Sequence, residues 1–184
     1  MSLFGKPRGE KYHTRNIDMN TYDYDETRFV VEGTLTDFRH KEFRMATGEE
    51  RSPGILHQMI VSLLVNKESL EIEDLQVEMP VIPRGDCLET IHCLEPAKGL
   101  RIAGGFTAKV KDIGGGIKGC NHLVALLTSM GPSVMQGYGA YYDHKIPGFL
   151  LENFSLLMNT CWTWREGGPL IGILEEKRRK KENG

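Results

Sequence analysis

"ILHQMIVSLLV" (55–65), "NKES" (66–69) and "LEIEDLQVEMPV" (70–81) make the most readable unit of this sequence. Apolar and β-branched residues flank a short polar run, and that pattern predicts a β-hairpin. In the second arm Leu70 and Ile72 hold one alternation phase, and Leu75, Val77 and Met79 take over the inward face. A strand changes phase by accommodating an extra residue, so a bulge is expected near Glu73–Asp74. Pro80 and Pro83 close the strand, because proline donates no ladder hydrogen bond.

Upstream, "RFVVEGTLTDF" (28–38) adds a strand in which Phe29, Val31 and Leu35 follow period two, and Asp37 reads as its terminator. Residues 43–54 read as a loop, and residues 1–24 as a polar N-terminal arm. Past Pro83 the period changes. A short helix is expected over 85–100, further helices over 104–116 and 147–164, and another from Cys120 interrupted at Gly131-Pro132. "CWTWREGGPLIGIL" (161–174) reads as a terminal hairpin, and "EEKRRKKENG" (175–184) as a charged, disordered tail. Strands followed by helices argue α+β: a small antiparallel sheet with C-terminal helices packed on one face. Residues 25–174 are expected to form one domain.

The 184 residues are 40% hydrophobic and 26% charged, enough for one core. A net charge of −2 supplies no basic field, so nucleic acid is not expected as a partner. No run approaches the ~20 apolar residues of a membrane span, and the N-terminus lacks a signal-peptide core, which predicts a cytoplasmic protein without membrane association. Phosphate-loop, nucleophile-elbow and zinc-protease motifs do not occur. The four cysteines, Cys87, Cys93, Cys120 and Cys161, contain no C-x-x-C pair. In a reducing compartment they read as free thiols or metal ligands.

Chemistry concentrates in "GGGIKGCNHLVALLTSM" (114–130). A helix starting near Gly119 turns its amides and positive dipole end toward Cys120, favouring the thiolate. His122 lies two residues on, about 200° around a regular helix, so both residues reach one metal only across an irregular first turn. Three glycines permit such an approach. A small buried cysteine and a capping histidine explain the same residues. The hairpin brings the start of its first strand, with His57, beside the end of its second, just before Cys87. Cys93 and Cys161 read as core cysteines.

"VEGTLTDF", "LHQM", "GLRIAGGF", "GGIKGCNHL" and "CWTWREGG" resemble the bacterial family DUF2889 between about His13 and Trp164. That resemblance implies a shared fold and no established activity. More distantly, a ligand opening a hairpin, a cysteine after it and a cysteine opening a later helix are similar to the NifU N-terminal/SufU-type iron–sulfur scaffolds. This similarity implies zinc or a nascent Fe–S cluster on His57, Cys87 and Cys120, with His122 nearby, and a protein partner in metal or cluster delivery. Thiolate and imidazole donors suit Zn or iron and disfavour Mg²⁺ and Ca²⁺. Two other readings stay open: a non-enzymatic accessory or ligand-binding module with structural cysteines, and a Cys–His thiol enzyme.

Overall fold

The computed structural model describes residues 2–183. Four antiparallel strands form the main sheet in chain order: β1 (His13–Asp23), β2 (Arg28–Arg39), β3 (Gly54–Asn66) and β4 (Ile72–Val81). Helices α1 (Phe106–Gly114), α2 (Asn121–Lys145), α3 (Phe149–Glu152) and α4 (Pro169–Glu182) follow, which gives the expected α+β class. Short antiparallel pairs join Ser2–Leu3 to Lys6–Pro7 and Phe43–Arg44 to Glu50–Arg51. Residues 1–135 make one compact unit and residues 136–184 another. No helix among the described residues is long and apolar enough to cross a membrane.

The central strand pair explains the core. Phe29, Val31, Gly33, Leu35 and Asp37 pair directly with Val65, Leu63, Val61, Met59 and His57. Directly opposed residues share a face, so eight positions of this double row are apolar or glycine and the last pair is polar. Helix α2 packs on the row at Gly33, where an added Cβ would meet Leu126 Cδ1 and Met130 Sδ at 3.0 Å. Leu123, Leu126, Leu127 and Met130 are fully buried. In the hairpin, Val65 pairs with Ile72 and Leu64 with Asp74. The extra residue falls at Glu73, as the change of phase requires.

Several local expectations give way to tertiary context. Part of the stretch read as an N-terminal arm is β1, paired with β2 from His13↔Arg39 to Asp23↔Phe29. An edge strand largely open to water needs no apolar alternation, so its sequence gave no strand pattern. The helix expected over 85–100 is two 3₁₀ turns, Gly85–Thr90 and Glu95–Ala97, with Pro96 in the first turn of the second. Helix α2 runs through Pro132. Proline in a helix interior costs about 3 kcal/mol or more, but Met130, Gly131 and Val134 are buried on either side of it and hold the helix.

In residues 136–184, the long helix expected over 147–164 is reduced to α3 and a 3₁₀ turn at Phe154–Leu157. The expected terminal hairpin and charged tail supply α4 instead. Pro169 sits in its first turn, where no backbone donor is lost. Along it, Glu176–Lys180 and Arg178–Glu182 ion pairs at 2.6 and 3.2 Å have the spacing that supports a helix.

Candidate metal centre

The polar end of the apolar double row is the candidate site. Arg15, Asp37 and His57 are direct cross-strand neighbours on β1, β2 and β3. The register shifts between Asp37 and Phe38, which pairs with Ile55, so Leu56 is the extra residue beside His57. A bulge there ends the regular ladder where the side chains turn from packing to chemistry. His122, in the first turn of α2, completes the group from above the strands.

Asp37 is 2% exposed and gathers the surrounding donors. Arg15 grips both carboxylate oxygens, Nε to Oδ1 and an Nη to Oδ2, each at 2.7 Å. His13 Nε2 donates to Oδ1 at 3.0 Å. Burial by itself raises the Asp37 pKa, but the hydrogen bonds from Arg15 and His13 outweigh it and hold the carboxyl well below the usual carboxylate range. Asp37 is therefore a fixed anion at neutral pH, and the Arg15 guanidinium is correspondingly pushed up by it.

Two imidazoles face the remaining side of Oδ2. His57 Nδ1 lies 3.2 Å from it and His122 Nε2 3.4 Å from it. The rings lie 4.0 Å apart between centroids, tilted by 30°. His57 Nδ1 is buried and, despite its closeness to Asp37, has no aligned hydrogen-bond partner among the described residues. Burial, then the neighbouring His122, lower the His57 pKa from its ordinary 6.5, and Asp37 offsets this only in part. His57 is neutral at neutral pH, with a buried nitrogen free of any aligned partner.

Donor atoms of Asp37, His57 and His122 all lie within 4.8 Å of one another. One carboxylate and two imidazoles within that span suit a divalent transition metal. Arg15 and His13 stand behind the carboxylate as the outer groups that fix a ligand's orientation.

Of the residues singled out in the sequence, His57 and His122 belong to this group, and Cys120 and Cys87 stand outside it. Cys120 Sγ is 3.8 Å from His122 Nδ1, on the opposite edge of the ring from Asp37. Burial pushes the Cys120 thiol up, but the His122 imidazole and the backbone amides of Leu123 and His122 outweigh it and leave the thiol below its ordinary value. Cys87 lies in the first 3₁₀ turn, where its carbonyl accepts from Thr90 Oγ1 at 2.8 Å. Asp37, Arg15 and His13 carried no flag in the sequence. The available signal was parity: Asp37 continues the inward series Phe29, Val31, Leu35, and a carboxylate on a buried face demands partners.

A family model for proteins of unknown function, DUF2889, matches residues 13–136. The chain belongs to the DUF2889 family. No curated protein and no solved structure matches it. The matched span holds every residue of the site, from His13 to His122, and with it the four strands, α1 and the sheet-packed part of α2. For this DUF2889 protein, function has to be argued from the site itself.

Proposed function

We propose that the protein binds one transition-metal dication, zinc or iron(II), through Asp37 Oδ2, His57 Nδ1 and His122 Nε2. The observation that carries this reading is the buried His57 nitrogen without an aligned partner, 3.2 Å from a buried carboxylate. Such an atom is costly to bury, by about 1–3 kcal/mol, unless something completes its bonding. A single carboxylate with two imidazoles leaves coordination positions open for water or a substrate oxygen. These nitrogen and oxygen donors favour a mononuclear ion. An iron–sulfur cluster of the scaffold type takes thiolates, and its reading depends on Cys87 and Cys120 joining the ligands.

The test is cobalt(II) titration of the metal-depleted protein, followed by its ligand-field absorption and by calorimetry. Wild type should bind one equivalent, His57→Ala and His122→Ala should lose it, and Cys87→Ala should retain it. Absence of cobalt bands in wild type, or binding by either histidine variant equal to that of wild type, overturns the reading. A sulfide-dependent charge-transfer band after anaerobic reconstitution, lost in Cys87→Ala and Cys120→Ala, would favour the cluster instead.

One observation favours a second reading. His122 stands between Cys120 Sγ at 3.8 Å and Asp37 Oδ2 at 3.4 Å, the order of nucleophile, base and orienting carboxylate. Thiol catalysis then requires rapid alkylation of Cys120 by iodoacetamide below pH 8.5, the reference thiol value, slowed in His122→Ala. Unchanged alkylation in that variant sinks it.

A further inference from the structure

Gly119 is extended, with φ −177°, a conformation open to any residue. Its need for glycine comes from contact: an added Cβ would lie 2.6 Å from Cys93 Cβ and 2.7 Å from Cys93 Sγ. The Cys93 side chain therefore rests on the backbone of the residue preceding Cys120. The Cys93 sulfur thus lies against the residue next to Cys120, which brings the two cysteines near one another across 27 residues of chain. Both are free and partly exposed, so a small oxidant can reach them. Neither cysteine lies within a regular helix or strand. Cys93 closes a turn on Thr90 at 3.0 Å, and Cys120 stands immediately before α2.

We propose that Cys93 and Cys120 form an oxidisable thiol pair that closes an intrachain disulfide when the protein meets a hydroperoxide. Cys120 sulfur attacks one peroxide oxygen, the O–O bond breaks, and the thiol proton leaves with the departing oxygen as water or alcohol. Cys120 is now a sulfenic acid. Cys93 sulfur attacks it, the S–O bond breaks, and the second oxygen leaves as water with the Cys93 proton. Two thiols are oxidised and one peroxide is reduced. The disulfide also commits Cys120 sulfur to Cys93, removing the free thiol that faces His122 Nδ1. The pair itself stands on the Gly119 contact and does not depend on metal binding.

The experiment treats the metal-depleted full chain with equimolar hydrogen peroxide, then counts thiols and maps peptides under non-reducing conditions. Four free thiols should fall to two, with the peptides containing Cys93 and Cys120 linked and the link reversed by dithiothreitol. Cys93→Ser should abolish the link and leave a sulfenic acid on Cys120 that dimedone traps, while circular dichroism confirms the fold. Gly119→Ala, which pushes the segments apart, should slow closure at least tenfold. Retention of all four thiols, a link through Cys87 or Cys161, or equal closure in Gly119→Ala overturns the proposal.

Discussion

Two charged side chains are buried among the described residues, and they sit toward opposite ends of β2. Near its start, Lys67 lies 5.1 Å from the Phe29 ring centre and reaches the Asp23 carboxylate at 2.5 Å and the Asp25 carbonyl. Its backbone amide also bonds Thr27 at 2.8 Å. These contacts tie the hairpin loop to the β1–β2 connection. At the other end Asp37 faces Arg15, His13, His57 and His122, more basic groups than one carboxylate can satisfy. A buried charge matched by its partners is a staple. One facing a surplus of donors with a misaligned nitrogen is the mark of a place for something else.

The largest test of that contrast is a pair of variants. Asp37→Ala strands a guanidinium and partly buried imidazoles and should cost about 3–5 kcal/mol in urea unfolding, with loss of cobalt binding. Lys67→Met should cost about 1–3 kcal/mol and leave cobalt binding of the folded protein intact. Loss of cobalt binding in Lys67→Met at full folding would break the comparison, because the lysine would then belong to the site.

A smaller effect is expected from Gly33→Ala, midway between the two charges. The new methyl meets Leu126 and Met130 at 3.0 Å, both at flexible ends that give way in part. A loss of about 1–2 kcal/mol in thermal unfolding should result, with weaker cobalt binding as α2 lifts His122 from Asp37. Full stability with unchanged cobalt affinity would mean that α2 does not set the position of His122.

The smallest effect is a pH dependence at the staple end. Hydrogen bonds from Arg28, opposed in part by desolvation and aided by the Thr27 amide, lower the Asp25 pKa to about 2. An unfolded aspartate titrates near ~3.9. A depressed folded value means the contribution is present above the unfolded value and lost as pH falls toward 2. The protection of the Thr27 amide relative to its intrinsic exchange rate, followed by NMR, should fall over that interval and hold steady above pH 5. Loss of protection already at pH 6 would assign the turn's stability to other groups.

How much of this was legible depended on how many neighbours each element required. The hairpin and its bulge were readable because both arms carry their own alternation. Strand β1 escaped because an edge strand takes its stability from pairing with β2. Helix α4 escaped because ion pairs along a highly charged helix resemble a solvated tail. His57 and His122 stood out as residues with chemistry, while Asp37 passed as a strand terminator because nothing beside it in sequence is its partner. Its partners Arg15, His13, His57 and His122 are 22, 24, 20 and 85 residues away along the chain.

By itself, the sequence determined the apolar face, the phase change at Glu73 and the α+β order, since periodicity and proline act locally. Only the tertiary structure decided that Arg15, Asp37 and His57 share one rung and that α2 delivers His122 to it. Strand register converts distant positions into neighbours, and no local pattern specifies which rung a buried carboxylate will occupy. The glycine before Cys120 was likewise decided in three dimensions: its backbone is one any residue can adopt, and the side chain of Cys93 is what leaves it no room for a Cβ.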